Sequence, residues 1–234
     1  MDRPHFDVVP LVRDEPTHTY LWLPTMTVMT YSVSKVATLN KPYFGDPAAG
    51  VRGTFVHLCL EHFLKGLPQP EWGQYEPFIA PLLAKDYWQD FEPWIVEGMV
   101  CDLKKSVGGQ FDILGFDHKR QKITVVDLKS TTSNTNKDHR IQLGGYVQMI
   151  ADLHKVCVDE CRIIWARPND CELGEPKCAK DCSIKWSDQW DKFKTIRKLF
   201  SPNATPAAVQ TPQIPRGTSP ADYSFNPELV LQPD

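Results

Sequence analysis

The chain has 234 residues, of which 41% are hydrophobic and 24% charged, as in a soluble globular protein with one substantial core. It contains no apolar run near the roughly 20 residues needed to span a bilayer, and its first residues lack a signal-peptide pattern, so we expect a cytoplasmic protein. The net charge of −3 argues against a protein that holds duplex DNA by charge alone.

Residues 1–50 are predicted to form an irregular N-terminal arm with one short helix. Pro and aromatic residues are scattered through the first half of the arm, where only Tyr20–Leu23 suggests an edge strand. Ser32 is a suitable N-cap for the helix, because apolar residues follow it at helical spacing, namely Val33, Val36 and Leu39.

Residues 51–200 are predicted to form the folded core, which opens with a helix that ends at Gly66. His57 and Glu61 are four residues apart on this helix, so they share a face next to its apolar stripe. Two readings are open for this pair, a functional site or a buried histidine beside a solvated glutamate.

A helical insert is expected at about residues 67–93, which are rich in Pro and Trp. The next segment, Trp94–Cys101, is predicted to be a strand, and Glu97 is a lone carboxylate within it. Alternation along the strand would expose this side chain, and a further metal ligand is the other reading.

The segment from Gly109 to Lys129 reads as a hairpin, two apolar runs joined by a polar turn at Asp117–Arg120. Asp112 lies within the first strand, and Asp127 and Lys129 close the second. A buried, unpaired carboxylate is costly, so packing does not account for these side chains. The hairpin therefore predicts a divalent-metal site with a companion cation.

A polar loop at residues 130–136 and a helix at Asp138–His154 follow the hairpin. Gln142 and Tyr146 lie four residues apart on one face of this helix. Gly144–Gly145 costs helix stability, roughly 1 kcal/mol per Gly relative to Ala. The pair therefore predicts the close approach of another backbone or of a ligand.

Beyond this helix we predict a strand at Arg162–Ala166, a loop at Pro168–Asp181 and a short strand at Cys182–Trp186. Ser187 is then the expected N-cap of a helix that runs to Phe200. Residues 201–234 are Pro-rich and lack periodicity, so they are expected to form an extended tail.

Seven cysteines are present, and four of them are clustered in sequence, namely Cys161, Cys171, Cys178 and Cys182. In a cytoplasmic protein they are either free thiols or metal ligands. Their spacing is not that of a standard zinc or iron–sulfur site. We therefore expect free thiols.

The four motifs that carry polar residues resemble those of the PD-(D/E)XK nuclease superfamily, and most closely its RecB-type branch. They cover about residues 50–150 in the family's order: Gly53-Thr-Phe-Val-His57, Gly109-Gln-Phe-Asp112, Asp127-Leu-Lys129 and Gln142-Leu-Gly-Gly-Tyr146. The resemblance implies an α/β fold with a central mixed sheet flanked by helices, the restriction-endonuclease-like core. Relatives that carry an iron–sulfur cluster have a Cys-x-x-Cys, which this chain lacks.

The resemblance also implies roles for individual residues. Asp112 and Asp127 are expected to bind one or two Mg²⁺ or Mn²⁺ ions together with His57 and the backbone carbonyl of Leu128, and Glu97 is a further candidate. Lys129 is expected to orient or deprotonate the attacking water and to stabilise charge on the phosphate. The remaining candidates are Gln142 and Tyr146, which would position Lys129 and the DNA backbone, and three residues for DNA phosphates: Arg52, Ser130 and Thr131.

The function expected from this resemblance is a metal-dependent DNA exonuclease of replication, recombination or repair. Small phage-type nucleases, mitochondrial genome-maintenance exonucleases and CRISPR-adaptation nucleases are similar proteins. The expected location is the cytoplasm of a bacterium or of an infected cell. DNA is the expected partner, with no membrane and with a recombination or replication protein as a further partner. A structure-specific or single-strand endonuclease and a non-catalytic DNA-binding protein of the same fold are the alternatives.

Overall fold

The computed structural model describes residues 3–14, 19–39, 41, 46–132 and 139–200. The strands in these ranges are β1 (Leu11–Asp14), β2 (Thr19–Trp22), β3 (Thr27–Val28), β4 (Tyr31–Ser32), β5 (Phe91–Asp102), β6 (Val107–Asp117), β7 (Lys122–Ser130), β8 (Glu160–Arg167), β9 (Asp170–Leu173) and β10 (Lys177–Cys178). The α-helices are α1 (Val33–Ala37), α2 (Pro47–Leu64), α3 (Glu76–Leu83), α4 (Arg140–His154) and α5 (Ala179–Phe200).

A mixed sheet forms the centre of the molecule. Strand β6 pairs antiparallel with β5 along its length, and its other edge pairs antiparallel with β7 at one end and parallel with β4 at the other. Strand β7 pairs parallel with β8, and β8 pairs antiparallel with β9 and β10. The predicted α/β fold, a central mixed sheet flanked by helices, is confirmed.

Each face of the sheet is covered by its own apolar core. Leu114, Val125 and Ile163 face the side that packs against α1, α4 and α5. Their chain neighbours Ile113, Val126 and Ile164 face the side that packs against α2 and α3. Strands buried on both faces need apolar residues at successive positions, which explains the continuous apolar runs of the hairpin.

The predicted helices of the arm and the core are confirmed, with changes at their ends. The Ser32 hydroxyl accepts the Lys35 N–H at 3.2 Å, as expected of the N-cap of α1. Helix α2 starts before the predicted core boundary, because Asp46 caps it and Pro47 occupies its first turn. Gly66 follows its end with a φ of +66°, a conformation that favours glycine.

The C-terminal part of the core differs from the sequence prediction. The expected loop at Pro168–Asp181 contains β9 and β10, and the expected strand at Cys182–Trp186 lies inside α5. Ser187 does not cap a helix, since its hydroxyl donates to the Ser183 carbonyl within α5 at 3.1 Å. The apolar residues of Cys182–Trp186 fit the period of a strand as well as that of a helix. The structure selects the helix, because it buries three residues at helical spacing, namely Ala179, Cys182 and Trp186.

The glycine pair in α4 allows two helices to approach closely, as predicted. A Cβ on Gly144 would lie 1.9 Å from the carbonyl oxygen of Cys182 in α5. A Cβ on Gly145 would lie 2.9 Å from the Trp186 ring. The backbones of α4 and α5 therefore touch where side chains would keep them apart.

The N-terminal arm is more regular than expected. Strands β1, β2 and β3 form a separate antiparallel sheet, of which only β2 had a signal in the sequence. Helix α3 lies within the predicted insert, and its buried residues Phe78, Ile79 and Leu82 belong to the core beside α2. The predicted tail, residues 201–234, lies outside the described residues. No described helix is long and apolar enough to cross a membrane.

We expect Gly144→Ala to lower the free energy of unfolding by about 3 kcal/mol or more, because α5 backbone occupies the space of the new methyl group. Gly50→Ala in α2 is the matched control, since nothing lies within 4 Å of a Cβ there. It should raise stability by about 1 kcal/mol. Urea unfolding of both variants measures the difference, and equal stabilities would contradict the close approach.

Candidate metal centre

The site lies where strands β6 and β7 separate. Their pairing runs from Asp117↔Lys122 to Ile113↔Val126 and ends there. At the next position a side chain takes the place of the backbone hydrogen bonds between the two strands. The Oδ2 of Asp112 accepts the Leu128 N–H at 2.6 Å. The split between the strands makes room for polar side chains inside an otherwise apolar sheet.

Helix α2 brings His57 to this split. Its Nε2 lies 3.2 Å from the carbonyl oxygen of Leu128. Its Nδ1 lies 3.3 Å from Glu97 Oε1 and 3.6 Å from Asp112 Oδ1. The histidine of the Gly-Thr-x-x-His motif, the aspartate of Gly-x-x-Asp and the Leu128 carbonyl are therefore brought together by the fold.

Glu97 lies opposite Asp112, between the pairs Val96↔Ile113 and Gly98↔Phe111. Its φ is +56°, a left-handed conformation that is uncommon for a residue other than glycine inside a strand. The side chain is only 19% exposed and turns towards His57, so simple alternation does not describe this position. The ligand atoms of His57, Glu97 and Asp112 all lie within 4.8 Å of one another.

Asp127 lies outside this compact group and is held by Lys129. Its side chain is 2% exposed, and Lys129 Nζ lies 2.6 Å from its Oδ2. Its Oδ1 is buried and accepts no hydrogen bond from the described residues. A buried carboxylate oxygen without a donor is costly, so this atom is suited to a cation.

The concentration of acids changes the protonation of the site. Burial lowers the pKa of His57, but the Asp112 carboxylate and the hydrogen bond to Glu97 outweigh it and raise the pKa to about 9. Burial also lowers the pKa of Lys129, and the carboxylates of Asp127 and Asp112 outweigh it and raise the pKa. Both side chains are thus cations at neutral pH in the metal-free protein.

The Gln-x-x-x-Tyr pair meets the site from α4. Gln142 Nε2 donates to the Tyr146 hydroxyl at 3.0 Å. The Tyr146 ring packs directly on the backbone of Gly109. A Cβ at this position would lie 3.0 Å from the ring and 2.7 Å from Val33, so only glycine allows this contact. Burial raises the pKa of Tyr146, with the Asp127 carboxylate as a second cause, so its hydroxyl stays protonated.

The three residues suggested for DNA phosphates lie where α2 meets the end of β7. The Arg52 guanidinium lies over the Phe78 ring, 5.0 Å from its centroid. Ser130 faces α2, where its hydroxyl would be 3.7 Å from a Cβ on Gly53. The Thr131 N–H donates to the Ala166 carbonyl at 3.0 Å and extends the pairing of β7 with β8. Of the predicted polar loop at 130–136, residues 133–136 lie outside the described residues.

A cavity of about 310 Å³ opens beside the acidic group. Besides His57, Glu97 and Asp112, its walls contain three polar residues that the sequence did not assign to the site, namely Arg13, Thr54 and Gln110. Glu61, which the sequence pairs with His57 on α2, lines the cavity as well. Arg13 comes from β1 and donates to Gln110 Oε1 at 2.8 Å. No local pattern could have placed it there, because the two residues are 97 positions apart in sequence.

The clustered cysteines are divided between the two faces of the sheet. Cys161 and Cys182 are buried in the core beside α4 and α5, and Cys171 is buried in the core beside α2 and α3. Cys178 is exposed. A four-sulfur site cannot form from side chains separated by the sheet.

The donor set of the site fits a divalent cation of the Mg²⁺ or Mn²⁺ type. Carboxylate and carbonyl oxygens suit both ions, and an imidazole favours Mn²⁺. The buried Oδ1 of Asp127, to which no group in the described ranges donates, is a second structural sign of a cation position. Among the described residues, the group of His57, Glu97 and Asp112 is the one with three metal-binding side chains in reach of a single ion.

Comparison with known proteins gives distant structural similarity alone. No protein-family model and no curated protein matches the chain. The structure described as "Crystal structure of SSO0001" is 17% identical with a TM-score of 0.34, and the match covers 62% of this chain and 60% of that chain. An alkaline exonuclease (LHK-Exo) from Laribacter hongkongensis is 11% identical with a TM-score of 0.36, covering 74% of this chain and 92% of that chain. Function is therefore argued from the site itself.

We expect Glu97→Gly to separate stability from metal binding. Glycine adopts the φ of +56° without strain, so the metal-free variant should be at least as stable as the parent. Mn²⁺ affinity, measured by calorimetry, should fall at least about tenfold, because a charged ligand is lost. Gln121→Gly, at a φ of +55° in the turn between β6 and β7, is the control and should leave Mn²⁺ affinity unchanged. Unaltered Mn²⁺ affinity in Glu97→Gly would exclude Glu97 from the site.

We expect Lys129→Met to lower the free energy of unfolding by about 3 kcal/mol, because it leaves the buried Asp127 carboxylate without its counter-charge. The double variant Asp127→Asn with Lys129→Met should recover most of that loss. Lys65→Met removes an exposed ion pair with Glu61 and should cost under about 1 kcal/mol. Urea unfolding with EDTA measures all three, and equal losses for Lys129→Met and Lys65→Met would contradict the assigned charge pair.

Proposed function

We propose that this protein is a divalent-metal-dependent deoxyribonuclease of the PD-(D/E)XK superfamily, in its RecB-type branch. One observation carries the proposal. His57, Asp112 and the Leu128 carbonyl converge at the split between β6 and β7, where the buried Asp127 forms an ion pair with the partly exposed Lys129. Carboxylates, a histidine and a lysine in one cleft suit phosphodiester hydrolysis.

His57, Asp112, Asp127 and the Leu128 carbonyl are the proposed metal ligands, and Glu97 joins them on the strength of its contact with His57. A divalent ion bound there supplies charge neutralisation at the phosphate and lowers the pKa of a bound water. The protein provides the negative charge that draws the ion in. It also holds the ligands rigidly, since Asp112 is fixed by the Leu128 N–H.

Lys129 acts in this scheme mainly through its charge. Its raised pKa keeps the ammonium group protonated at neutral pH in the metal-free protein. An ammonium held beside a buried carboxylate stabilises the negative charge that develops on the phosphate and orients the attacking water. For Lys129 to take a proton from the attacking water, its own pKa would have to fall. A bound cation would favour this, because it would offset the negative charges of Asp127 and Asp112 that raise the pKa.

Gln142 and Tyr146 are proposed to position the DNA backbone and the Lys129 side chain. Their mutual hydrogen bond fixes the glutamine amide, and the protonated hydroxyl remains a donor. Arg52, Ser130 and Thr131 stay candidates for phosphate contacts. Arg13 is a further positive side chain on the wall of the cavity.

The size of the cavity and the net charge of the chain favour an exonuclease over an endonuclease. About 310 Å³ is at the small end of ligand cavities, and it suits one nucleotide of a strand end better than an uninterrupted duplex. The net charge of −3 also suits a local cleft better than a broad duplex-binding face. DNA is thus the proposed partner, in replication, recombination or repair.

A DNA-binding protein of the same fold without catalysis is the competing proposal. Against it stands the retention of every charged group that the reaction needs, namely Asp112, Asp127 and Lys129. A binding protein has no reason to keep a buried aspartate without a hydrogen bond at its Oδ1.

We expect the purified protein to shorten end-labelled linear oligonucleotides in the presence of Mg²⁺ or Mn²⁺ and not in EDTA. Asp112→Asn should reduce the rate of digestion by about a thousandfold or more. The Asp112 carboxylate is a proposed metal ligand and also accepts the Leu128 N–H, and the substitution removes its charge in both roles. Asp102→Asn, at the end of β5 outside the cavity, is the control and should keep the parent rate.

The same digestion distinguishes the alternatives. Cutting of closed circular single-stranded DNA would support an endonuclease instead. Binding of labelled DNA without any cleavage, under all metal conditions, would support the non-catalytic protein and contradict the proposed function.

A further inference from the structure

A second cavity of about 590 Å³ lies beside the turn that joins β6 to β7. It is bordered by this turn, the short 3-10 helix at Asp86–Gln89, β8 and β9. None of its lining residues belongs to the cavity at the metal centre. It is therefore a separate feature of the molecule.

Arg162, on β8, lines this cavity and is 8% exposed. Its side chain makes no hydrogen bond or ion pair with the described residues, and its Nε is fully buried. Its guanidinium contacts the Tyr87 ring, 5.7 Å from the centroid. Glu160 interacts with this guanidinium electrostatically but forms no ion pair with it, so its N–H groups are left without an acceptor among the described residues and suit an anion from outside the chain.

Tyr87 provides a second unused donor on the same wall. Its hydroxyl is buried and has no hydrogen-bond partner among the described residues. Burial raises the pKa of Tyr87, and the Asp117 carboxylate raises it further, so the hydroxyl stays protonated and can donate. Tyr87 and Arg162 thus place a phenol and a guanidinium beside one cavity, each with a donor that has no acceptor among the described residues.

The other charged residues of the cavity are mostly engaged. Arg120 forms a two-point ion pair with Glu160, at 2.8 and 2.7 Å. Lys85 donates to the Cys171 carbonyl at 2.7 Å. The cavity also contains acidic side chains, which limit the total negative charge that it can accept: Asp86, Asp90 and Asp117.

We propose that this cavity binds a small phosphate-class oxyanion, with the Arg162 guanidinium and the Tyr87 hydroxyl as its donors. A tetrahedral oxyanion has enough acceptors for both groups and for the Lys119 ammonium at the same wall. The cavity is larger than inorganic phosphate needs, so it also accommodates phosphate carried by a small molecule, such as a nucleoside monophosphate. The proposal is independent of nuclease activity.

Calorimetric titration of the full chain with inorganic phosphate and with dAMP tests the proposal. EDTA is present, so that no metal ion holds phosphate at the other site. We expect saturable binding at one site, and an affinity about tenfold lower in Tyr87→Phe, because one hydrogen bond to a charged group is lost. Arg162→Lys should weaken binding at least as much. Tighter binding of dAMP would identify a nucleotide as the source of the phosphate, and equal affinities would identify the free ion.

Tyr31→Phe is the matched control, because the Tyr31 hydroxyl is also buried without a partner but does not line this cavity. Neither Tyr→Phe variant should unfold at a lower temperature than the parent, since each removes a hydroxyl that makes no hydrogen bond with the part of the chain that the structure describes. This keeps the test decisive even if Arg162→Lys does not fold. Absence of saturable binding, unchanged affinity in Tyr87→Phe, an equal loss in Tyr31→Phe, or loss of binding in Asp112→Asn would each overturn the proposal.

Discussion

The hydrogen bond from the Leu128 N–H to Asp112 Oδ2, at 2.6 Å, is the contact on which the candidate site depends. It ends the pairing of β6 with β7 and satisfies a backbone donor that the separated strands would otherwise leave unpaired in the core. It also aims the Leu128 carbonyl at His57. The carboxylate thus acts twice, as a substitute for sheet pairing and as a source of negative charge, and replacing it would disturb both.

The site combines several features that cost stability. Glu97 has left-handed backbone inside a strand, Asp127 is buried, and acids crowd around His57. In the metal-free protein, protonated His57 and Lys129 balance the acids. A left-handed residue inside a strand, together with buried charge in an otherwise apolar sheet, is typical of a functional site.

Much of the fold and part of the site could be predicted from the sequence. Asp112, Asp127 and Lys129 were recognisable because charged groups interrupt apolar strands, and His57 because it sits beside an apolar helix stripe. Glu97 remained ambiguous, since its positive φ breaks the alternation on which strand reasoning depends. Arg13 and Arg162 gave no local signal, because only tertiary pairing places them on cavity walls. The start of α5 was misassigned because Cys182 and Trp186 fit two periodicities until packing against Gly144 selects one.

The strand order has a kinetic consequence. Strands β5, β6 and β7 are consecutive and antiparallel, so Glu97, Asp112 and Asp127 come from a meander of local contacts, the kind that forms early in folding. The parallel pairings of β7 with β8 and of β4 with β6 need long crossovers and form later. His57 must also arrive from α2, 71 residues before Leu128. The acidic half of the centre is therefore built from contacts that are local in sequence, whereas its histidine depends on a contact between distant segments.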